Sequence, residues 1–149
     1  MCRRKVILMA LSAVVLNAAD FALTIGSPVA AGTATKVKNS LFAVRMEQCE
    51  DPAKAQITAM AEGLVNGARK SEPVKLISTP SPGVFVAPQI WDEGTWVVSL
   101  QATCAGKKAG AIVPIGPNGF LRDSSKMFSR FAKDSEVEAS LKNLTGGKK

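Results

Sequence analysis

The stretch GVFVAPQIWDEGTWVVSLQATC, residues 83–104, decides the fold of this 149-residue chain. In its second half every other residue is apolar, and alternate side chains of a β-strand point to opposite faces of the sheet. The predicted inner face consists of Trp96, Val98, Leu100, Ala102 and Cys104. Asp92, Glu93 and Gly94 form a turn signal before this strand, and a shorter apolar run ends at Pro88. We therefore predict a core hairpin, whose shorter strand lies at a sheet edge or ends at its proline.

The N-terminal region has the pattern of a secretory signal peptide. Residues 1–5 are rich in basic side chains, residues 6–16 are apolar, and small residues follow. The small residues before Gly32 predict cleavage after Ala31, which would make the protein periplasmic or secreted. Cleavage near Ala19 is an alternative, and an uncleaved N-terminal anchor is another.

Two cysteines are expected to remain after export. Removal of residues 1–31 leaves Cys49 and Cys104, which are 55 residues apart. An even number of cysteines in an exported chain predicts one disulfide bond. Cys49 follows a predicted strand at residues 40–48, but it falls on the charged face of that strand. A bulge or a bend near Gln48 must therefore turn the cysteine inward.

The middle of the chain contains a strong hairpin signal. Asn66 and Gly67 favour a two-residue turn between strands, and they separate an apolar segment at 57–65 from a second arm at 68–77. Residues 53–64 are also rich in alanine, which favours a helix. We predict the hairpin, and the helix remains the alternative.

The C-terminal part of the chain changes character. Residues 109–115 form a last apolar run, whereas residues 124–131 place apolar side chains at helical spacing. Ser135 and Glu138 have the spacing of a capping box at the start of a better-defined helix. The apolar stripe of that helix consists of Val137, Leu141 and Leu144. We expect this helical segment to pack on the strands.

Six or seven short strands with regularly spaced turns predict an all-β fold. The expected architecture is a small antiparallel β-sandwich of the Ig-like or transthyretin-like Greek-key type, with a short C-terminal helix. The expected organisation is a signal peptide at 1–31, a flexible leader at 32–39, the β-sandwich domain at 40–122, and a helical segment and tail at 123–149.

A recurrent rhythm of glycine, proline and aromatic residues runs through the predicted strands. Its segments are Ile57-x-Ala59-x-Ala61-x-Gly63-x-Val65-Asn66-Gly67, Glu72-Pro73-Val74-x-Leu76, Pro82-Gly83-Val84-Phe85 and Gly94-x-Trp96-x-Val98. This pattern resembles the carboxypeptidase regulatory-like and transthyretin-like β-sandwich modules. The resemblance implies a non-catalytic exported module, and it carries over no functional residue.

Composition limits the chemistry that the chain can perform. The sequence contains no histidine, which removes the commonest general base and the usual zinc or copper ligand. The net charge is +7, but the basic residues are dispersed and are not interleaved with aromatic ones, as a nucleic-acid groove would require. We therefore predict no cofactor, no metal and no nucleic-acid partner. No second apolar run is long enough to span a membrane.

Three weaker candidate sites remain. A hydrolase could use the carboxylates of Asp92 and Glu93 or the pair Ser125 and Lys126, although each pair is adjacent in sequence and lacks a surrounding motif. Soft-metal binding would need three scattered methionines, which are more often core residues. These are Met46, Met60 and Met127.

The two tryptophans are the remaining candidates. We predict that Trp91 and Trp96 pack in the core or at its rim, and the alternative is an exposed aromatic pair that contacts a ligand. The favoured function is an exported, non-catalytic interaction or structural module with a protein or glycan partner. The alternative function is the hydrolase.

Overall fold

The computed structural model describes residues 21–28 and 40–146. These residues form ten strands and one helix. The strands are β1 (Ala22–Gly26), β2 (Ser40–Glu47), β3 (Gln56–Val65), β4 (Ala68–Val74), β5 (Ile77–Ser78), β6 (Val84–Pro88), β7 (Thr95–Cys104), β8 (Lys107–Gly116), β9 (Gly119–Phe120) and β10 (Lys126–Phe128), and the helix is α1 (Asp134–Gly146).

The strands form two sheets with antiparallel pairing. One sheet has the order β1-β2-β6-β5, and the other has the order β10-β8-β7-β3-β4, with β9 paired to β8. Apolar side chains from both sheets share one core cluster, which includes Phe42, Val44, Val98, Leu100 and Val113. Burial of such side chains from water is the main stabilising contribution to a small domain. The predicted all-β sandwich with a short C-terminal helix is confirmed.

The predicted pairing within residues 83–104 is wrong. Strand β6 pairs with β2 and β5, whereas β7 pairs with β3 and β8 in the other sheet. Residues 89–94 between them therefore cross from one sheet to the other, and packed sheets are about 10 Å apart. Pro88 ends β6, as predicted, but β6 lies inside its sheet and not at an edge. Consecutive strand signals identified the strands but not their partners.

Both faces of β7 are covered. The residues predicted for its inner face are all buried, as expected. Val97 on the opposite face is also buried, because it packs with Ile112 of β8 and with Val137 and Leu141 of α1. The outer face of the larger sheet therefore carries the helix, and Leu144 continues the same contact.

The hairpin at the middle of the chain forms as predicted. Asn66 and Gly67 have φ angles of 51° and 79°, and two positive φ angles in a two-residue loop match the right-handed twist of the flanking strands. The alternative helix at 53–64 is therefore wrong. The second arm is divided, because β4 ends at Val74 and β5 joins the other sheet.

A bend at Gln48 brings the two cysteines together. The φ angle of Gln48 is 59°, so the chain leaves the direction of β2 just before Cys49. Cys49 and Cys104 form the disulfide bond, with their Cα atoms 5.8 Å apart. Since β2 and β7 belong to different sheets, the bond links the two layers. The predicted bend and the predicted pairing are both confirmed.

The region after residue 122 differs from the prediction. A 3-10 turn at Arg122–Ser124 precedes β10, which pairs with the edge of β8. The prediction of a helical segment at 124–131 is therefore wrong for its strand residues. The free edge of β8 offers partners for their backbone hydrogen bonds, and the spacing of apolar residues does not reveal such an edge. The helix cap is also displaced: Glu136, not Glu138, accepts the Lys133 backbone N–H at 2.9 Å.

The sheets extend beyond the predicted 40–122 domain at both ends. Strand β10 lies after the end of the predicted domain, and β1 lies before its start, within the predicted signal peptide. Five residue pairs join β1 to β2, and Phe21 and Leu23 are each 1% exposed. Residues 1–20 and 29–39 lie outside the described residues, so the signal peptide and the leader stay predictions. Across residues 21–28 and 40–146, no helix has the length and apolar character needed to cross a bilayer.

The cap of α1 predicts a pH dependence. Arg130 donates two hydrogen bonds to the Glu136 carboxylate, at 2.7 and 3.0 Å. The bonds from Arg130 have the largest effect on the pKa of Glu136, and the bond from the Lys133 backbone has the next largest. Together they lower this pKa from 4.5 to about 2. A lowered pKa stabilises the fold above the unfolded-state value, and this contribution is lost as the pH falls toward the folded-state value.

We therefore expect Glu136→Gln to lower the melting temperature at neutral pH. The difference from the wild type should shrink as the pH falls from about 4.5 to about 2. Thermal unfolding followed by circular dichroism across this range measures it. Glu50→Gln, an exposed site elsewhere, is the control. A difference that is the same at every pH would contradict the role of the Glu136 carboxylate.

Candidate functional site

The two tryptophans stack at one end of the sandwich. Their ring centroids are 5.0 Å apart and their planes differ by 14°. Trp96 is 3% exposed, and its Nε1–H donates to the backbone carbonyl of Glu93 at 2.7 Å. Trp91 is half-buried. Core packing is therefore correct for Trp96, whereas Trp91 lies at the rim and keeps part of its ring at the surface.

The position of the stack follows from the two strands beneath it. Trp96 of β7 lies opposite Gly63 of β3, and its ring covers the place where a side chain at Gly63 would be: an added Cβ would lie 2.3 Å from the indole. Trp91 comes from the loop between the sheets, where the Gln89 side-chain amide donates to the Trp91 carbonyl at 3.0 Å. The Trp96 ring is therefore held in place by strand β7, and the Trp91 ring stacks on the Trp96 ring.

Two clefts flank Trp91. The larger cleft encloses about 320 Å³ and includes residues from the end of β8, the β8–β9 turn, the segment after β9 and the end of α1, namely Ile115, Gly116, Pro117, Leu121 and Leu144. The smaller cleft encloses about 260 Å³ and includes Val65, Lys70, Glu72 and Ile90. Both clefts share Trp91, Asp92, Glu93 and Trp96. The stacked tryptophans and the acidic turn therefore border two concave surfaces.

The two clefts differ in the charged residues that line them. Asp92 and Glu93 are exposed, and among residues 21–28 and 40–146 they are the only charged residues that line the larger cleft. The smaller cleft adds Lys70 and Glu72, whose charges oppose each other. The ion pairs of the described residues involve other carboxylates. The larger cleft therefore combines an aromatic surface with carboxylates that lie outside these ion pairs.

The other catalytic candidates are not brought together in this way. The Ser125 hydroxyl donates to the Leu121 carbonyl at 2.8 Å. Lys126 lines a separate cleft of about 210 Å³ with Ser124 and Ser140, and Ser125 does not line it. The predicted Ser125 and Lys126 pair therefore does not share one cavity.

The three methionines do not form one site. Met46 is buried in the core cluster, whereas Met60 lies on β3 and Met127 on β10. Strands β8 and β7 separate β10 from β3, which places them about 14 Å apart at the usual strand spacing. Among residues 21–28 and 40–146, no cluster of three or more His, Cys, Asp or Glu residues is arranged to hold a metal ion.

Most other contributors to the clefts were not predicted, among them Ile90 and Leu144. Ile90 is 40% exposed beside Trp91, and Leu144 reaches the larger cleft from the C-terminal helix. The sequence offered one signal for Ile90, because this large apolar residue lies next to an aromatic residue and an acidic turn. Nothing local indicated Leu144, because its place depends on how α1 packs.

No protein-family model, no curated protein and no solved structure matches this chain. The resemblance to carboxypeptidase regulatory-like and transthyretin-like modules therefore stays a prediction. What the described residues define is a small, disulfide-linked β-sandwich with an aromatic, acid-lined cleft at one end.

Proposed function

We propose that this protein is an exported, non-catalytic binding module of the cell envelope or extracellular space, and that it contacts its partner through the surface around Trp91. The observation that carries the proposal is the stacked pair, in which a half-buried Trp91 rests on a fully packed Trp96 and both rings line two clefts. Tryptophan is enriched among the residues that dominate binding energies. A ring that is already positioned loses little conformational freedom on binding.

The test is capture of a partner by the immobilised protein from a native envelope extract. The captured species is identified by mass spectrometry, purified and tested again with Trp91→Ala. We expect Trp91→Ala to lower the affinity at least about tenfold, which corresponds to 1.4 kcal/mol. Met127→Ala is the matched control, since Met127 is 42% exposed on β10. Capture that survives Trp91→Ala unchanged would remove this surface as the binding site.

The alternative is a hydrolase that uses Asp92 and Glu93. It is favoured by one observation, which is that both carboxylates line the same two clefts. Turnover of a substrate in a hydrolase panel, lost in Asp92→Asn and in Glu93→Gln, would support this activity. Binding that persists in both variants, with no turnover by the wild type, would favour the binding module.

Export also makes a prediction about the mature N-terminus. Cleavage near Ala19 is supported over cleavage after Ala31, because the later cut would remove β1 with Phe21 and Leu23, which are buried in the core. We expect the exported protein to begin at Asp20. Hydrolysis of the peptide bond between Ala19 and Asp20 by a signal peptidase, a class that requires small residues before the cut, would produce it.

Intact-mass measurement of the protein from an exporting host tests this position. Ala19→Arg should block maturation, whereas Ala31→Arg should leave the mature N-terminus unchanged. A mature chain that begins at Gly32 would contradict the prediction and would mean that β1 is absent from the working protein.

A further inference from the structure

We propose that the larger cleft binds an arginine or lysine side chain from an extended segment of a partner protein. The cation would stack on Trp91 and pair with the carboxylates of Asp92 and Glu93. This inference rests on the proposed function, and it names the chemistry of the partner.

Charge complementarity selects a cationic occupant. The full 149-residue sequence carries a net charge of +7, yet within the described part of the chain the charged residues that line the larger cleft are Asp92 and Glu93. Other carboxylates of the described chain pair with arginine: Arg69 contacts Glu62, Asp134 and Glu138, and Arg130 contacts Glu136. The two cleft carboxylates are exposed, and a basic partner group would meet their charge without first breaking one of these ion pairs.

The aromatic surface also favours a cation. The face of a tryptophan ring attracts an ammonium or a guanidinium group within about 6 Å of the ring centroid. Trp96 stacks on one face of Trp91, with ring centroids 5.0 Å apart, and this contact restricts the orientation of the Trp91 ring that lines the cleft. A planar guanidinium can stack on such a ring and donate to a carboxylate at the same time.

The size of the cleft suits one side chain and not a large ligand. A volume of about 320 Å³ lies at the low end of small-molecule sites, which start at about 300 Å³. The smaller cleft adjoins the larger one and shares Trp91, Asp92, Glu93 and Trp96 with it. An extended segment that crosses Trp91 could therefore place one side chain in the larger cleft and continue past the ring.

A neutral sugar is the competing occupant, because it can also stack on an indole. The two occupants differ in their response to salt. Attraction between exposed charges is screened as ionic strength rises, with a Debye length of about 10 Å at 0.1 M salt. Stacking of a neutral sugar involves no such attraction, so binding of a neutral sugar should change little with salt.

Intrinsic fluorescence gives a direct measurement. The chain has two tryptophans and no tyrosine, so its emission comes from the stacked pair. The full mature protein is titrated with an end-blocked Gly-Arg-Gly-Arg-Gly peptide, with the same peptide carrying neutral citrulline in place of arginine, and with a neutral glucose oligosaccharide. Each titration is repeated at low salt and at high salt.

We expect a saturable change with the arginine peptide, weaker at high salt, and none with the citrulline peptide. Asp92→Asn combined with Glu93→Gln should weaken binding about fivefold or more. Glu50→Gln is the matched control, since Glu50 is exposed and follows the disulfide Cys49. Melting temperatures of both variants verify that they are folded.

The proposal is overturned if the arginine peptide produces no saturable change, or if the Asp92 and Glu93 variant binds it as well as the wild type. Saturable, salt-insensitive binding of the neutral oligosaccharide without arginine binding would also overturn it, while leaving the Trp91 surface as a binding site. Failure of the proposed function is a separate result, namely partner capture that does not depend on Trp91.

Discussion

Replacement of both Cys49 and Cys104 by alanine is expected to lower the free energy of unfolding by about 4 kcal/mol. The bond closes a loop of 55 residues, and in the chain-entropy model the cross-link removes that much conformational freedom from the unfolded chain. Because Cys49 follows β2 and Cys104 ends β7, the bond links the two sheets, and its loss removes this covalent link. A domain of this size depends strongly on such a contribution.

Denaturant unfolding of the oxidised protein and of the double-alanine variant measures this difference. The reduced wild type is the control, because it has lost the bond but keeps both side chains. Two reactive thiols in the unreduced, denatured protein would contradict the disulfide itself. A stability difference below about 1 kcal/mol would mean that the unfolded chain is restricted by other means.

The same variant separates stability from binding. Cys104 ends β7 and Trp96 lies near its beginning, so the disulfide and the clefts lie at opposite ends of a ten-residue strand. Such a strand spans roughly 30 Å. We therefore expect the variant to bind the arginine peptide with unchanged affinity wherever it remains folded.

Local signals predicted the parts of the fold that depend on neighbours in sequence. The alternating residues of β7, the Asn66 and Gly67 turn, and the bend at Gln48 each follow from a few adjacent residues. Side-chain alternation and positive φ are local properties of the backbone. The disulfide was also predictable, since only two cysteines were expected to remain after export.

Pairings between distant strands could not be read in this way. One partner of β6 is β2, more than thirty residues earlier in the chain, and nothing within residues 83–104 distinguishes that pairing from a hairpin with β7. Val97 is buried by a helix that begins at Asp134, so its burial could not be predicted from the residues around it in sequence. The apolar character of residues 21–26 fitted both a signal peptide and a strand.

In the candidate site, too, features set by neighbours in sequence could be predicted, and features set by the packing of distant elements could not. The tryptophan pair and the acidic turn were visible in sequence, because they are neighbours. The clefts were not, because they need the β3–β4 hairpin, the region around the β8–β9 turn and the end of α1 to meet at one end of the sandwich. A site assembled from loops is defined by the packing of the elements that carry them.

Trp96→Ala is expected to lower the free energy of unfolding by about 3–5 kcal/mol. The indole is nearly fully buried, covers Gly63, stacks with Trp91 and donates to the Glu93 carbonyl. Its removal leaves a cavity between the sheets and an unsupported Trp91. Trp91→Ala is the control, and it should cost less because Trp91 is half-buried.

Chemical denaturation followed by far-UV circular dichroism measures both variants, since each of them lacks one of the two tryptophans that produce the fluorescence. A cost near zero for Trp96→Ala would mean that the inner face of β7 is wrongly assigned. An equal cost for the two tryptophans would mean that both rings are core residues, and the binding surface around Trp91 would then lose its basis.

Gly63→Ala tests the same contact from the opposite strand. An added Cβ would lie 2.3 Å from the Trp96 ring, so the ring must move and we expect a loss of about 1–3 kcal/mol. In the Trp96→Ala background the obstacle is gone, and Gly63→Ala should be neutral or stabilising by about 0.5–1 kcal/mol, because alanine loses less backbone entropy than glycine on folding. The two substitutions should therefore be strongly non-additive.

Gly26→Ala is the matched control for this cycle, because Gly26 is also a strand residue and an added Cβ there meets no atom within 4 Å. Its effect should be the same with and without Trp96. If Gly63→Ala and Trp96→Ala instead add to within about 0.5 kcal/mol, the indole does not lie over Gly63. The Trp91 ring would then lack the fixed support on which its role in binding depends.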